Sequence, residues 1–401
     1  MKLLVICQYY KPEPFRVSDI CEELVCRGHE VTVVTGVPNY PEGEIYPGYE
    51  KGKRRTETVN GVKIHRCFTI PRKSGALYRL LNYFSFAFSS TAFVKKLGAA
   101  DGSVFDAVFV NQLSPVMMGS AALAYKKKHK VPVLLYCLDL WPESLIAGGI
   151  RRGSLIYRVF HKISAKIYRS VDRIMISSAQ FSEYLQKEFE ISKENIEHLP
   201  QYAECIFTPA VTTDTKTTTD LLFAGNVGTA QSVETILGAA ELLQSKHPQL
   251  RWHIVGSGSD LERLQQMSKE KQLSNTVIFH GRRPLEEMPQ FYQMADALLV
   301  TMKADPVLSL TLPGKVQSYM AAGRPIIAAI DGETADVINA AKCGYCSKAE
   351  DVSALAANVD AFLAEPDKKQ LGDNAYAYYE KHFHQDIFFA TLERNLYNSI
   401  K

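Results

Sequence analysis

Short apolar runs alternate with helix-length segments almost from end to end of this chain. "KLLVIC" (2–7), "EVTVVTG" (30–36), "FDAVFVN" (105–111), "VPVLLYCLD" (131–139) and "DRIMIS" (172–177) read as strands. "VSDICEELVCRG" (17–28), "SPVMMGSAALAYKKK" (114–128) and "RGSLIYRVFHKISAKIYRS" (152–170) read as helices between them. The rhythm restarts at Asp220 with "DLLFAGN", "RWHIVGSG", "TVIFHG", "DALLVT" and "RPIIAA". Strands that alternate with helices form βαβ units and parallel sheets, and near-continuous apolarity fits sheets covered on both faces.

Between the two series lies a Thr- and Pro-rich stretch without pattern, residues 199–220, which reads as a linker. The expected fold is α/β, with two Rossmann-like doubly wound domains at 1–200 and 201–383. A last helix, about 384–401, is expected to pack back on the first. A length of 401 residues suffices for two cores. Two such domains set a cleft between the carboxyl ends of their sheets, where doubly wound sheets bind ligands.

Eight scattered cysteines, mostly in apolar runs, read as reduced core residues. Cys343-Gly-Tyr-Cys346 is a single C-x-x-C without a second pair or a nearby histidine, so no metal is expected. No apolar run reaches membrane-spanning length, and the apolar run near Met1 is too short for a signal peptide core. The cytoplasm is therefore the expected compartment.

Charge is divided unevenly. Residues 1–200 hold 28 basic and 19 acidic side chains, whereas the remainder holds 18 and 24. The segments 71–96 and 151–169 combine basic residues with aromatic and aliphatic ones. The second carries an apolar stripe of Ile156, Val159, Phe160, Ile163 and Ile167. Such helices are expected to meet an anionic membrane surface. No nucleic-acid recognition module is present, so nucleic acid is not an expected partner.

Neither G-x-G-x-x-G nor G-x-x-x-x-G-K-[ST] occurs, which removes the usual supports for dinucleotide and P-loop chemistry. Glycine turns instead follow three strands of the second series: Gly225 and Gly228, then Gly256 and Gly258, then Gly281. Glycine admits close backbone approach, and exposed helix-start N–H groups attract phosphate. Ser259 and Asp260 are positioned to cap the helix after the second turn. "LPGKVQSYM" puts Lys315 in the first turn of a helix, where a cation opposes the dipole unless an anion sits beside it. Arg282 and Arg283 add positive charge. In the first half, Asp139 of "LDLWPES" falls at the end of an apolar strand, with Glu143 close behind, and can orient or deprotonate a hydroxyl. Arg16, before the first helix, is a candidate phosphate ligand.

With these motifs in view, the chain resembles a retaining family 4 glycosyltransferase of the GT-B fold. The resemblance rests on "QYYKPEPFR", "RGHEVTVVTGVPNYP", "LDLWPES", "FAGNVGTAQSVETIL", "IVGSGSDLERL", "FHGRRPLEEMPQFYQMADALL" and "LPGKVQSYMAAGRPIIA". It points to the bacterial enzymes that build O-antigen and capsule repeat units, N-acetyl-L-fucosamine transferases among them. The resemblance implies a UDP-linked N-acetylated sugar as donor, held by the second domain, and a polyprenyl-diphosphate-linked saccharide as acceptor on the first. It implies no metal or other cofactor, and peripheral attachment to the inner face of the cell membrane. Donor-binding positions carried over are Gly225, Asn226, Gly228, Gln231, Gly256, Gly258, Arg282, Arg283, Lys315 and Ser318; acceptor positions are Arg16, Asp139 and Glu143. Catalytic roles fall to Lys315 and Asp139. The chain departs from the family where paired glutamates precede "MAxGxP": Leu310 and Ser318 stand there. The basic pair after "FAG" is also replaced, by Asn226 and by Gln231 or Ser232. Two other readings share these features, a nucleotide-sugar epimerase of the same fold and a non-catalytic nucleotide-sugar-binding subunit.

Overall fold

A computed structural model describes residues 1–73, 75–98, 104–146, 149–209 and 216–400. The chain divides into two compact units. The first holds Met1–Ser177, Phe181–Leu199 and the end of the chain from Thr391; the second holds Ser178–Gln180 and Pro200–Ala390. Residues 210–215 of the expected linker lie outside the described residues.

The first unit runs β1 (Lys2–Ile6), α1 (Val17–Cys26), β2 (Glu30–Gly36), β3 (Thr56–Val59), β4 (Val62–Cys67), α2 (Ala76–Val94), β5 (Ala107–Gln112), α3 (Gly119–His129), β6 (Val133–Cys137), α4 (Leu155–Tyr168), β7 (Arg173–Ile176), α5 (Phe181–Phe189) and β8 (Ile196–His198). Its sheet has the order β3-β4-β2-β1-β5-β6-β7-β8. All pairs are parallel except β3 with β4 at the edge. The central strands read apolar because both faces are covered: Leu3 to Ile6 and Val108 to Val110 have no exposed surface. Each such side chain contributes about 1.5–3 kcal/mol by leaving water.

The second unit runs β9 (Thr219–Ala224), α6 (Val233–Leu243), β10 (Leu250–Val255), α7 (Leu261–Glu270), β11 (Val277–Gly281), α8 (Met288–Met294), β12 (Ala297–Thr301), α9 (Gly314–Ala321), β13 (Ile326–Ala329), α10 (Glu333–Ala341), β14 (Gly344–Ser347), α11 (Val352–Ala364) and α12 (Lys368–His382). Its sheet, β11-β10-β9-β12-β13-β14, is parallel throughout. The strand order reverses beside β9, so β9 and β12 mark the switch point where such sheets open to ligands. The last helix, α13 (Gln385–Ile400), starts in the second unit and ends in the first. There Glu393 bonds His29 at 2.9 Å, and Arg394 bonds Glu197 at 2.8 Å.

The "AAGRP" stretch after α9 is structural. Gly323 takes φ +61°, and the buried Arg324 guanidinium donates to the carbonyls of Tyr292 (3.0 Å) and Gln293 (2.6 Å) at the end of α8. These are carbonyls that the helix itself leaves without partners.

Helix faces in the first unit differ from the sequence reading. Of the stripe expected on α4, Phe160 and Ile167 are buried, Ile163 is partly buried, and Ile156 and Val159 are about half exposed; Leu155, outside that stripe, is 78% exposed. Phe160 turns inward because Trp141 and Phe84 meet it, with ring centroids 5.4 and 6.0 Å away. On α2, Leu77, Leu81 and Phe88 are exposed at helical spacing, with Phe84 stacked on Phe88. Through Phe84 and Phe160 the two exposed faces adjoin. Among the described residues, no helix is long and apolar enough to cross a membrane.

Candidate active site

In the second unit, the turns after β9 and β10 are packed backbone on backbone. Val227 donates its N–H to the Ser257 carbonyl at 2.9 Å, and Asp260 donates to the Val227 carbonyl at 3.0 Å. Gly256, with φ +145°, lies so close that a Cβ there would fall 1.8 Å from the Gly225 carbonyl oxygen; a Cβ at Gly258 would fall 2.3 Å from the Val227 oxygen. Both positions require glycine for steric reasons. Asp260 precedes α7 but does not cap it with its side chain: the carboxylate is bidentate to Arg263, both distances 2.6 Å.

Lys315 reaches this turn from α9. Its stem runs back under Gly225, where an added Cβ would meet the Nζ at 2.9 Å. The Nζ lies 3.8 Å from the Phe223 ring centroid, is sealed from solvent and has no hydrogen-bond partner among the described residues. Burial lowers its pKa to about 7. A desolvated amine without a counter-charge disfavours its charged form. An anion at the turn would supply what is missing.

The other donor-side candidates take varied places. The Gln231 Oε1 accepts from the Gly228 N–H (3.2 Å) and from Asn226 Nδ2 (3.1 Å), so it braces the turn. Asn226 is exposed at its tip. Ser232 is buried in left-handed geometry, φ +45°, at the start of α6. Arg282 and Arg283 are exposed; Arg283 donates to the His280 carbonyl at 3.1 Å and stands 3.8 Å from Glu287. Ser318 donates its Oγ to Glu204 Oε2 at 3.0 Å. A carboxylate thus stands beside the helix position where the sequence lacks one. It comes from a segment more than 100 residues upstream, which the linear sequence does not signal. The Leu310 carbonyl accepts from Ser178 Oγ.

In the first unit, Asp139 follows β6. Its Oδ2 accepts from the Ser114 N–H (2.9 Å) and from Ser114 Oγ (3.0 Å), and the same Oγ accepts from Trp141 Nε1 at 2.8 Å. Burial raises the Asp139 pKa, opposed by the Ser114 bonds and by Arg72. The other carboxylate oxygen has no hydrogen-bond partner among the described residues. Glu143 is buried, its Oε1 accepting from Tyr157 (2.7 Å), Tyr184 (2.8 Å) and Arg152 (3.0 Å). Tyr157 and Tyr184 tie "WPES" to α4 and α5, and Arg152 ties it to the turn before α4, so Glu143 holds the loop that carries Asp139. Arg16 opens α1, and its carbonyl accepts from Ile20 at 3.1 Å.

The sequence reading missed Glu13. Its buried carboxylate accepts from the N–H groups of Asn39 (2.8 Å), Tyr40 (2.8 Å) and Tyr10 (3.2 Å), and burial pushes it up to about 7. It also missed Arg72, in the loop before α2. A Glu between two prolines was the one available signal for the first; the second sits among several surface-like basic residues.

Residues 15–201 match the family described as "Glycosyl transferase 4-like domain", and residues 207–378 match "Glycosyl transferases group 1". The chain is 24% identical over 396 residues to the "Putative colanic acid biosynthesis glycosyl transferase WcaI" of Escherichia coli strain K12, covering 91% of this chain and 93% of that one. It is 28% identical over 269 residues to the "Probable glycosyltransferase WbjE" of Pseudomonas aeruginosa, covering 64% and 65%. Among solved structures, a sucrose-phosphate synthase of Thermosynechococcus elongatus superposes with TM-score 0.77 at 17% identity over 99% of both chains. Anabaena HepE in complex with UDP-glucose superposes with TM-score 0.71 at 14% identity, over 99% of this chain and all of that one.

Proposed function

We propose, for a chain that belongs to the GT-B glycosyltransferases through its glycosyl transferase 4-like and group 1 domains, a retaining transfer onto a lipid-linked saccharide. The donor is a UDP-linked N-acetylated sugar such as UDP-N-acetyl-L-fucosamine. The acceptor is a polyprenyl-diphosphate-linked saccharide of bacterial surface polysaccharide synthesis, and no metal takes part. The colanic acid transferase among the relatives supports the setting. The UDP and UDP-glucose complexes of HepE support the donor class.

The observation that carries this reading is the buried Lys315 amine beneath the Gly225 turn. A diphosphate against that turn favours the charged amine, which takes its proton from solvent. The N–H groups of Gly225, Gly228 and Gly256 already donate to the Val255 carbonyl, Gln231 Oε1 and the Gly281 carbonyl, whereas Arg282 and Arg283 lie along the same sheet edge. Lys315 and these guanidiniums stabilise the charge that grows on the leaving diphosphate. The bond from the anomeric carbon to phosphate breaks while the bond to the acceptor oxygen forms on the same face. The departing phosphate oxygen takes the acceptor proton, so no strong protein base is needed. Asp139 orients the acceptor hydroxyl through its open carboxylate oxygen. Ser318 and Glu204 offer oxygens to the nucleoside or sugar hydroxyls.

The exposed apolar faces of α2 and α4 lie among Arg79, Arg151, Arg158 and Lys162. They suit a peripheral position on an anionic membrane, where a lipid-linked acceptor resides.

The test is a donor panel. UDP-, GDP- and dTDP-sugars are incubated with a polyprenyl-diphosphate sugar and chelator, and product mass and anomeric configuration are read. Transfer from one UDP-sugar with retention is expected. Binding of a donor without turnover on any acceptor would leave a nucleotide-sugar-binding subunit instead.

A further inference from the structure

Four loops of the first unit, after β1, β2, β4 and β6, converge on one guanidinium. Glu13 joins the first two by accepting the N–H groups of Asn39 and Tyr40, both at 2.8 Å. Asn39 joins the third, its Oδ1 accepting the Arg72 N–H at 2.8 Å. The Arg72 guanidinium then lies 5.8 Å from the Tyr40 ring centroid and 5.9 Å from that of Tyr83. Tyr83 meets Trp141 edge-on at 6.0 Å, and the Trp141 Nε1 reaches Asp139 through Ser114 Oγ. Tyr40 in turn belongs to an aromatic cluster with Phe15 (5.2 Å) and Tyr9 (5.6 Å), and Tyr9 stacks on Phe15 at 4.9 Å.

Two features of this cluster are unexplained by packing. Arg72 is half-buried and its charge favours the Asp139 carboxylate, yet among the described residues it forms no direct ion pair. The Tyr9 hydroxyl is buried beside it and faces the guanidinium, with no further hydrogen-bond partner among the described residues. One ligand oxyanion can accept from the guanidinium N–H groups left over and from the phenol O–H. Phe15 and Tyr40, each partly open to solvent, offer ring faces suited to the C–H face of a pyranose.

We propose that Arg72 and Tyr9 form an oxyanion subsite, walled by Phe15 and Tyr40, for an acceptor sugar that carries an acidic group beside its reacting hydroxyl. This deepens the acceptor reading above and rests on it. The oxyanion is either the phosphate that links the sugar to its carrier or the carboxylate of an acidic sugar.

Three soluble probes separate these, each titrated calorimetrically into the full chain: a short-chain prenyl-diphosphate N-acetylhexosamine, an octyl glucuronide and a neutral octyl N-acetylhexosaminide. At least one anionic probe is expected to bind ten-fold or more tightly than the neutral one. Arg72→Gln should abolish that difference, and Tyr9→Phe should reduce it several-fold. The tighter of the two anions names the source. Equal affinity for all three probes, or an unchanged preference in Arg72→Gln, overturns the proposal. If Arg72→Gln does not fold, Arg72→Lys answers instead: the charge remains but the fork is lost, so the preference should shrink without vanishing, and an undiminished preference counts against the subsite. Titration of UDP-sugar into the same sample reads the transferase proposal separately, because donor binding does not depend on Arg72.

Discussion

The Lys315 Nζ sits 3.8 Å above the centre of the Phe223 ring, out of solvent, without a hydrogen bond to any described residue, and directly under the Gly225 turn. The ring face offsets part of the lost hydration. It does not replace it, and burial holds the pKa down at about 7. A fold that retains such an amine sacrifices stability at a place where an anion can recover it.

Replacing the amine should therefore stabilise the free protein. In Lys315→Met the thioether fills the same space against Phe223. At pH 7 the melting temperature should rise by roughly 5 °C, a modest part of what removing a buried charge allows. The pH dependence has a definite sign. With the folded pKa near 7 and the unfolded one near 10.5, the unfolded chain holds more protons between these values. Wild-type stability should then gain on the variant as pH rises from 7 towards 10.5. Melting curves at pH 6.5, 8 and 9.5 read this directly, and a destabilised Lys315→Met at pH 6.5 contradicts it.

Donor binding should draw in a proton. At pH 8 the free amine is mostly neutral, and a diphosphate beside it restores the charge. Calorimetry in two buffers of different ionisation enthalpy should report uptake approaching one proton per donor bound. The uptake should disappear in Lys315→Met, along with most of the affinity. Heats that do not depend on the buffer would place the diphosphate elsewhere.

How far the sequence discloses these features depends on what each one requires. The parallel βαβ units follow from apolar runs and crossover length, both local, whereas the strand order around β9 and β12 does not. The glycine turns are local too, and Lys315 is legible as a residue of the first turn of α9. Its orientation is not, because the pull of the Phe223 face belongs to another strand. Ser318 reads as a lost carboxylate until Glu204 arrives from the segment before β9. Arg72, Tyr9 and Glu13 belong to separate loops, and no spacing within one segment announces a site built from four. On α4 the stripe was visible, but which of its residues faces inward was decided by Trp141 and Phe84.

Gly256 and Gly281 provide a paired test of the turn packing. A methyl at Gly256 collides with the Gly225 carbonyl, whereas one at Gly281 meets nothing within 4 Å. Gly281→Ala should cost only the left-handed penalty, about 1–2 kcal/mol. Gly256→Ala should displace the turn above Lys315 and lower donor affinity at least ten-fold. Similar donor affinities in the two variants would separate that turn from donor binding.

Membrane attachment should depend on both the apolar and the basic part of the exposed face. Leu155→Gln with Val159→Gln removes two exposed side chains that make no core contribution, so the fold should persist. Sedimentation with vesicles containing anionic lipid should fall several-fold in this variant. For the wild type it should weaken with added salt, as screening shortens the reach of Arg151, Arg158 and Lys162. Wild-type protein that stays in the supernatant at low salt excludes this surface as an anchor.

Asp139 and Ser114 should separate orientation from packing. Asp139→Asn keeps an oxygen for the Ser114 donors but removes the charge from the open side of the carboxylate. Turnover should fall by roughly 10²-fold, within the range for a side chain that handles a reacting hydroxyl. The KM for donor should stay unchanged and stability should move little. Ser114→Ala removes the hydroxyl that links the buried Trp141 Nε1 to the carboxylate. An unsatisfied indole N–H then costs about 1–3 kcal/mol, so this variant should lose stability and turnover together. If Asp139→Asn retained full kcat while Ser114→Ala lost it, the carboxylate would be no more than a brace for the loop after β6, and the acceptor hydroxyl would have to be oriented from elsewhere.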